Sequence, residues 1–231
     1  MHPWESEYRN PQFITLGTEP ISDMKEFMKW IKKQARKNPA DFSVPVIDWT
    51  VLDLGCGNGK NLKYIVENFC EAGIGYDISE TAIKMAQELS SGINIKYETR
   101  SIGEVFPLLD QSVDLIIDAT SSHALSYAER KMYLAEIARV LKPGGFMFLR
   151  TLAIEGDTNA KKLVKEFPGT ELNTYILPGT GMIERVFSKS DLESDYSKHF
   201  KIVNMEKSSG YQKWSNQSYK RNYWIVYLQK K

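Results

Sequence analysis

Cysteine and histidine are scarce in this 231-residue chain, which has two of the first and three of the second. Cys56 and Cys70 are too far apart for a CxxC pair and the histidines are scattered, so neither a disulfide framework nor a metal-ligand spacing is present. Reduced thiols and no metal are expected. Long apolar runs are missing too. None approaches the ~18 to 20 residues of a membrane helix, and the opening MHPWESEYRNPQ lacks the basic and apolar stretches of a signal peptide. No membrane partner and a cytoplasmic location are therefore expected. Net charge is almost absent, with 30 Lys and Arg against 29 Asp and Glu, so the whole-chain field does not recruit polyanions. No repeat or low-complexity tract is visible.

What is present is an ordinary folding composition: 42% hydrophobic, 12% aromatic and 26% charged. The length suits one cored domain over residues 1–231, monomeric or homodimeric, better than two. The charge is unevenly placed, because from Lys198 to Lys231 eight Lys or Arg face a single acid, Glu206.

The punctuation is that of alternating strands and helices. After an irregular aromatic opening, Ser22 caps a helix with Met24, Phe27, Met28, Ile31 and Ala35 on one face, stopped at Asn38-Pro39. WTVLDLG then reads as a buried strand and Leu62, Ile65, Val66 and Phe69 as a helix face. AGIGYDI is a second strand, followed by a helix capped by Ser79 that buries Ala82, Met85, Ala86 and Leu89. INIKYET and VDLIIDAT are strands three and four, the latter a continuous apolar run of the parallel kind. Ser126 and Glu129 have capping-box spacing before a helix burying Leu134, Ile137, Ala138 and Leu141. LKPGG breaks the chain before the strand FMFLRT, and residues 152–187, with two Pro-Gly pairs, read as an insertion or lid. Ser190 and Glu193 offer a second capping box, after which FKIVNMEK and YWIVYLQ close the chain as a hairpin-like, partly antiparallel edge. The expectation is an α/β, doubly wound sheet with helices on both faces. Its parts would be an N-terminal cap (1–40), a core (49–151), the insertion (152–187) and a C-terminal helix with edge strands (188–231).

The stretch VLDLGCGNGKN carries the strongest functional signal. Gly55, Gly57 and Gly59, with Cys56 and Asn58 between them, follow the first strand, where ligands of open α/β sheets sit. The dinucleotide fingerprint wants a third glycine where Lys60 stands, and the Walker pattern wants Ser or Thr where Asn61 stands. Asp77, at the end of the second strand, is placed to accept ribose hydroxyls, or else to serve as a helix N-terminal acid. Asp53, inside the first strand, needs a donor: a ligand ammonium or the backbone N–H groups of the loop.

These segments resemble the class I S-adenosylmethionine-dependent methyltransferases. The resemblance runs through VLDLGCGNG, GIGYDIS, LLDQSVDLIIDA and VLKPGGFMFL, in family order, over residues 49–151. It implies a Rossmann-like seven-stranded sheet of order 3-2-1-4-5-7-6 with the last strand antiparallel, and S-adenosylmethionine as cofactor, leaving as S-adenosylhomocysteine. It further implies that Gly55 and Gly57 contact the methionine part and ribose, with Asp53 behind the ammonium, Asp77 on the ribose and Ile78 against the adenine. The family's acid after strand three is absent here, which leaves Ser101 and the Ile102 backbone for the adenine. Asp118 and Ala119 would end strand four beside the reactive centre.

Methyl transfer from a sulfonium needs alignment first and a base only for a protonated acceptor. Asp118, His123 and Tyr127 are the candidates for such a base, His123 serving otherwise to pack or orient. Trp4, Tyr8, Arg9 and Phe13 of the N-terminal segment, and Glu184 and Arg185 of the insertion, are candidates for gripping the substrate or forming a lid. A small-molecule acceptor is expected. The alternatives are RNA, docked on a basic C-terminal stretch that interleaves Tyr211, Trp214 and Tyr219 with Lys213, Lys220 and Arg221, and a cofactor-binding protein without catalysis.

Overall fold

A computed structural model describes residues 1–12, 14–37, 46–214 and 217–231. Phe13 and the helix stop at Asn38-Pro39 lie outside the described residues, as do the side chains of Lys213 and Trp214. Helices α1 (Pro3–Arg9) and α2 (Ser22–Lys37) precede five strand units: β1 (Thr50–Leu54), β2 (Ala72–Asp77), β3 (Ile95–Thr99), β4 (Val113–Ala119) and β5 (Leu141–Leu152). Between them run α3 (Lys60–Asn68), α4 (Glu80–Leu89) and α5 (Tyr127–Val140). The insertion holds α6 (Thr158–Glu166) and a small hairpin, β6 (Thr174–Ile176) and β7 (Ile183–Arg185). Helix α7 (Lys189–Tyr196) and the strands β8 (Phe200–Trp214) and β9 (Gln217–Lys230) follow.

The main sheet has the order β3-β2-β1-β4-β5-β9-β8. Strands β1 to β5 pair in parallel and β9 runs antiparallel to both β5 and β8. With the insertion hairpin set aside, this is the 3-2-1-4-5-7-6 order expected. The direction of winding reverses between β1 and β4, which opens a crevice at their carboxyl ends.

Both faces of the sheet are covered, so its strands are apolar without alternation. Val51, Leu115, Phe148 and Tyr227 pack against Phe27 of α2 and Leu62 and Ile65 of α3. Leu52, Ile116, Met147 and Trp224 pack against Tyr133 and Ile137 of α5. No helix among the described residues is long and apolar enough to cross a membrane.

Several local expectations are corrected. The aromatic opening is helical, with Pro3 in the first turn and His2 as its N-cap, a position where proline's missing N–H costs nothing. Helix α4 buries Ile83 together with Ala82 and Ala86, not Met85 or Leu89. The Ser126–Glu129 capping box is present, but α5 buries Tyr133, Ile137 and Val140, with Leu134 and Ala138 only partly covered. LKPGG is not a break before the strand. It is a bulge within β5, whose register passes from Val113↔Leu141 directly to Leu115↔Phe146. The second capping box is Ser188 with Asp191, not Ser190 with Glu193.

Candidate active site

The loop after β1 folds back under β2, with the Gly55 and Cys56 N–H groups both donating to the Tyr76 carbonyl at 2.8 and 2.9 Å. Gly55 and Gly57 hold φ of 72° and 56°, and a Cβ there would lie 2.3 Å from the Ser121 Cβ or 2.5 Å from the Tyr8 hydroxyl. Only glycine fits a loop this tight, because positive φ and the close approach of Ser121 and Tyr8 leave no room for a side chain. Gly59 then caps α3, whose first N–H groups are free to face a ligand.

Two carboxylates flank the loop. Asp53 is 1% exposed and its Oδ2 is buried without a hydrogen-bond partner. Burial pushes its carboxyl well above the usual range, and the charges of Asp118 and Asp77 add to the push. Asp77 is better supplied: its Oδ2 accepts from the Gly57 N–H and its Oδ1 from the Ser79 N–H, each at 2.9 Å. Burial still lifts it to about 6, against the opposing pull of those N–H groups.

A cavity of about 280 Å³ opens beside the loop; Gly55 and Asp77 line it, while Asp53 and Gly57 do not. Gly55, Asp77, Ile78, Ser101 and Ile102 form one wall, Trp4 and Tyr8 of α1 a second, and Ala124, Leu125, Met182 and Ile183 a third. Ile78 stays 37% exposed there, a free apolar side chain directly beyond Asp77. The α1 wall is fastened by Glu5, which accepts from the Ser79 and Thr81 hydroxyls at 2.6 and 2.7 Å. The hydroxyls of Ser79 and Thr81 hold the Glu5 carboxyl down at about 2. Asn58 ties down the following segment by donating to the Gly17 carbonyl at 3.0 Å.

The remaining candidates separate. Asp118 is fully buried and off the cavity wall: its Oδ1 accepts from the Ser121 N–H and hydroxyl, and its Oδ2 from the Tyr133 hydroxyl at 2.7 Å. Its geometry is that of a turn anchor. Tyr127 is 55% exposed with the Lys131 ammonium over its ring, also away from the cavity. Arg9 is on the surface, paired with Glu5. Arg185 points to α7, pairing with Asp191 and Asp195. Cys56 is buried, its thiol pushed up by that burial, and Ala119 is packed on the core. His123 and Glu184 are brought together, Nε2 to Oε1 at 3.6 Å, with both side chains buried.

Sequence reasoning missed Arg100, Glu129 and Met182, all on the cavity wall. Glu129 had a signal, since its capping-box spacing places an acid at the N-terminus of α5. Met182 had none, because only the folding of the insertion brings it over the sheet.

The residues fit S-adenosylmethionine. The orphaned Asp53 oxygen suits an ammonium, and the Asp77 carboxylate on the wall a pair of hydroxyls. Residues 51–145 match the family model described as a methyltransferase domain. The phthiotriol/phenolphthiotriol dimycocerosates methyltransferase of Mycobacterium tuberculosis is 28% identical over 139 residues, 57% of this chain and 50% of that protein. The tRNA U34 carboxymethyltransferase of Shewanella loihica is 26% identical over 194 residues, 82% of this chain and 54% of that protein. The chain thus spans about half the length of these curated relatives. In fold, a SAM-dependent methyltransferase of Methanosarcina mazei superposes with a TM-score of 0.67 at 23% identity, covering 80% of this chain and 93% of that one. The glycine loop, the two acids and the strand order of the sheet thus stand together in a chain whose residues 51–145 match a methyltransferase domain.

Proposed function

We propose that this protein transfers a methyl group from S-adenosylmethionine to a small-molecule acceptor. The observation that carries the reading is the Asp53 carboxylate oxygen, buried and unpartnered beside the glycine loop. A buried carboxylate without a donor is costly, and an amino-acid ammonium relieves that cost. In this reading Asp53 holds the ammonium, Asp77 the ribose hydroxyls, and Ile78, Ser101 and Ile102 the adenine. Trp4 and Tyr8 close over the loop and exclude water.

When bound, the cofactor supplies an electrophilic methyl group on a sulfonium that leaves as a neutral thioether. The chain's own contribution is then alignment, worth up to ~7 to 11 kcal/mol of barrier. An acceptor approaches from the wall of Ala124, Leu125, Met182 and Ile183, whose apolar side chains favour a small apolar molecule over a polyanion.

A second reading, transfer to RNA, is supported by the excess of cations after residue 198 and by the likeness to the tRNA enzyme. Against it, Arg221 is buried, while the Lys230 ammonium donates to the Ala138 and Leu141 carbonyls and the Lys231 ammonium to the Ser197 carbonyl. Arg221 is thus inside the fold, Lys230 is half-buried and bonded to backbone, and Lys231, though exposed, is also bonded to backbone. A cofactor-binding protein without turnover is the remaining alternative.

Calorimetry with S-adenosylhomocysteine, S-adenosylmethionine and NADH tests the cofactor, and preference for NADH overturns the proposal. A screen of small metabolites and RNA pools with labelled donor tests the acceptor: label in RNA alone would replace the first reading by the second, and label in nothing would favour the binding protein.

A further inference from the structure

Among the described residues the cavity wall carries two carboxylates, Asp77 and Glu129. Asp77 sits beside the glycine loop, its oxygens accepting from the Gly57 and Ser79 N–H groups. Glu129 belongs to a different corner, the first turn of α5 where that helix meets the loop after β3. A Cβ on Gly103 would lie 2.6 Å from the Glu129 Cβ and 2.7 Å from its Cγ, so only a glycine in that loop lets the helix come this close. The carboxylate is thereby set next to Ser101 and Ile102, which share the wall with it.

Glu129 is also held in one orientation. Its Oε2 accepts from the Ser126 N–H at 2.8 Å and from the Ser126 hydroxyl at 2.6 Å, as part of the capping box of α5. No hydrogen bond reaches Oε1 among the described residues. One oxygen serves the helix and the other remains an acceptor.

The polar groups around it are donors. Ser101 Oγ accepts from the Gly103 N–H at 3.1 Å, which leaves its own O–H to donate. Arg100, also on the wall, has no acceptor to offer. His2 Nδ1 accepts from the Trp4 N–H at 3.3 Å, which puts the imidazole proton on Nε2. Burial lowers the His2 imidazole and the Glu129 charge works against that, so the start of α1 and the start of α5 stand within electrostatic reach across this corner. The corner presents a fixed acceptor among donors. Adenine has the complementary edge: an amino group that donates, beside a ring nitrogen that accepts. A 6-oxo purine reverses both.

We propose, resting on the methyltransferase reading above, that Glu129 selects the purine of the cofactor: its Oε1 accepts from the 6-amino group of adenine while the Ser101 hydroxyl donates to the adjacent ring nitrogen. Glu129 carries the selection, because a hydroxyl can rotate to accept instead of donate and a carboxylate cannot turn donor. A 6-oxo purine is refused since its oxygen would face the carboxylate, a repulsive element added to a lost bond. Glutamine fills the same place in a capping box, so Glu129→Gln keeps the cap. With the glutamine oxygen held by Ser126, its amide nitrogen faces the ligand and an acceptor is exchanged for a donor.

Calorimetry on the full chain, at about pH 8 and so above the range in which Asp77 titrates, compares three ligands: S-adenosylhomocysteine, its 6-oxo analogue S-inosylhomocysteine, and the purine-riboside analogue that lacks the amino group. Glu129 is exposed, so the discrimination expected is that of one charged hydrogen bond, not that of a sealed site. Loss of the amino group should weaken binding about tenfold and the 6-oxo group about 100-fold. In Glu129→Gln, S-adenosylhomocysteine should lose about tenfold and S-inosylhomocysteine gain about tenfold, bringing the two within about threefold. Equal affinity of the unaltered chain for these two ligands overturns the proposal. So does an equal loss of both in Glu129→Gln, the result expected if the residue only caps α5. Glu129→Ala, which removes the acceptor and supplies no donor, is the second variant and should narrow the preference to about tenfold; a preference left at its original value overturns the role of Glu129 whatever becomes of the glutamine variant. If neither S-adenosylhomocysteine nor S-inosylhomocysteine binds the unaltered chain, the methyltransferase reading has failed first and the assignment of Glu129 falls with it.

Discussion

Glu5 and Ser79 are 74 positions apart in sequence and share a hydrogen bond of 2.6 Å. Ser79 also caps α4 and donates its N–H to Asp77, so the N-terminal helix is latched to the turn that carries the ribose-binding candidate. A closing element fastened this way positions Tyr8 over the Gly57 loop without any contact to the main sheet being required.

Breaking that latch should loosen cofactor binding more than folding. In Glu5→Ala, bonds to Ser79, Thr81 and Arg9 are lost. S-adenosylhomocysteine affinity is expected to fall about tenfold, ~1.4 kcal/mol, with the circular dichroism spectrum unchanged. Unchanged affinity by calorimetry would make α1 a bystander.

Asp53 should show a conflict between binding and stability. Asp53→Asn removes a buried carboxylate whose Oδ2 has no partner, so the melting temperature is expected to hold or rise. The same change weakens S-adenosylhomocysteine binding by about 10- to 100-fold, the span of one lost charged hydrogen bond. A marked drop in melting temperature would mean that Asp53 is satisfied from within the fold.

The pH dependence of binding has a definite sign. Asp77 is lifted to about 6 from an ordinary 3.8, so between those values the folded chain holds a proton that the unfolded chain has released. Its contribution to stability therefore falls as pH rises across that window. Ribose hydroxyls donate to the ionised carboxylate, so S-adenosylhomocysteine should bind more tightly as pH rises through about 6, releasing protons in calorimetry run in buffers of different ionisation heat. Asp77→Asn should flatten the profile. Glu5 acts in the opposite sense on stability: held at about 2 against 4.5, it contributes fully above 4.5 and is lost as pH falls toward 2.

The structural role of Asp118 can be read through Tyr133. Tyr133→Phe removes the hydroxyl that donates to Asp118 Oδ2, leaving a fully buried carboxylate oxygen short of a donor. A stability loss of ~1 to 3 kcal/mol follows, seen in urea unfolding, with S-adenosylhomocysteine affinity of the folded protein kept. An unchanged midpoint would show that Asp118 has other support.

For RNA, the slope of log affinity against log salt separates docking from chance contact. Because Arg221 is buried and the Lys230 ammonium is bonded to backbone carbonyls, a shallow slope of fewer than about three phosphates is expected for transfer RNA. A steep slope would revive the RNA reading.

The sequence by itself determined the scaffold. Apolar runs between glycine breaks dictated parallel strands, because a strand covered on both faces needs no alternation, and VLDLGCGNG needed glycines wherever φ turned positive. Asp53 and Asp77 were legible for the same local reason, since a strand position fixes which end of the sheet a side chain meets. The register of the β5 bulge, the face of α5 and the helix at Pro3 were misread, because packing partners rather than propensity decide them. The tertiary structure alone decided that Asp118 is a turn anchor, that Arg185 turns to α7, and that His123 meets Glu184. Those contacts join segments far apart in the chain, and burial, which sets the chemistry of each carboxylate, exists only once those segments have packed.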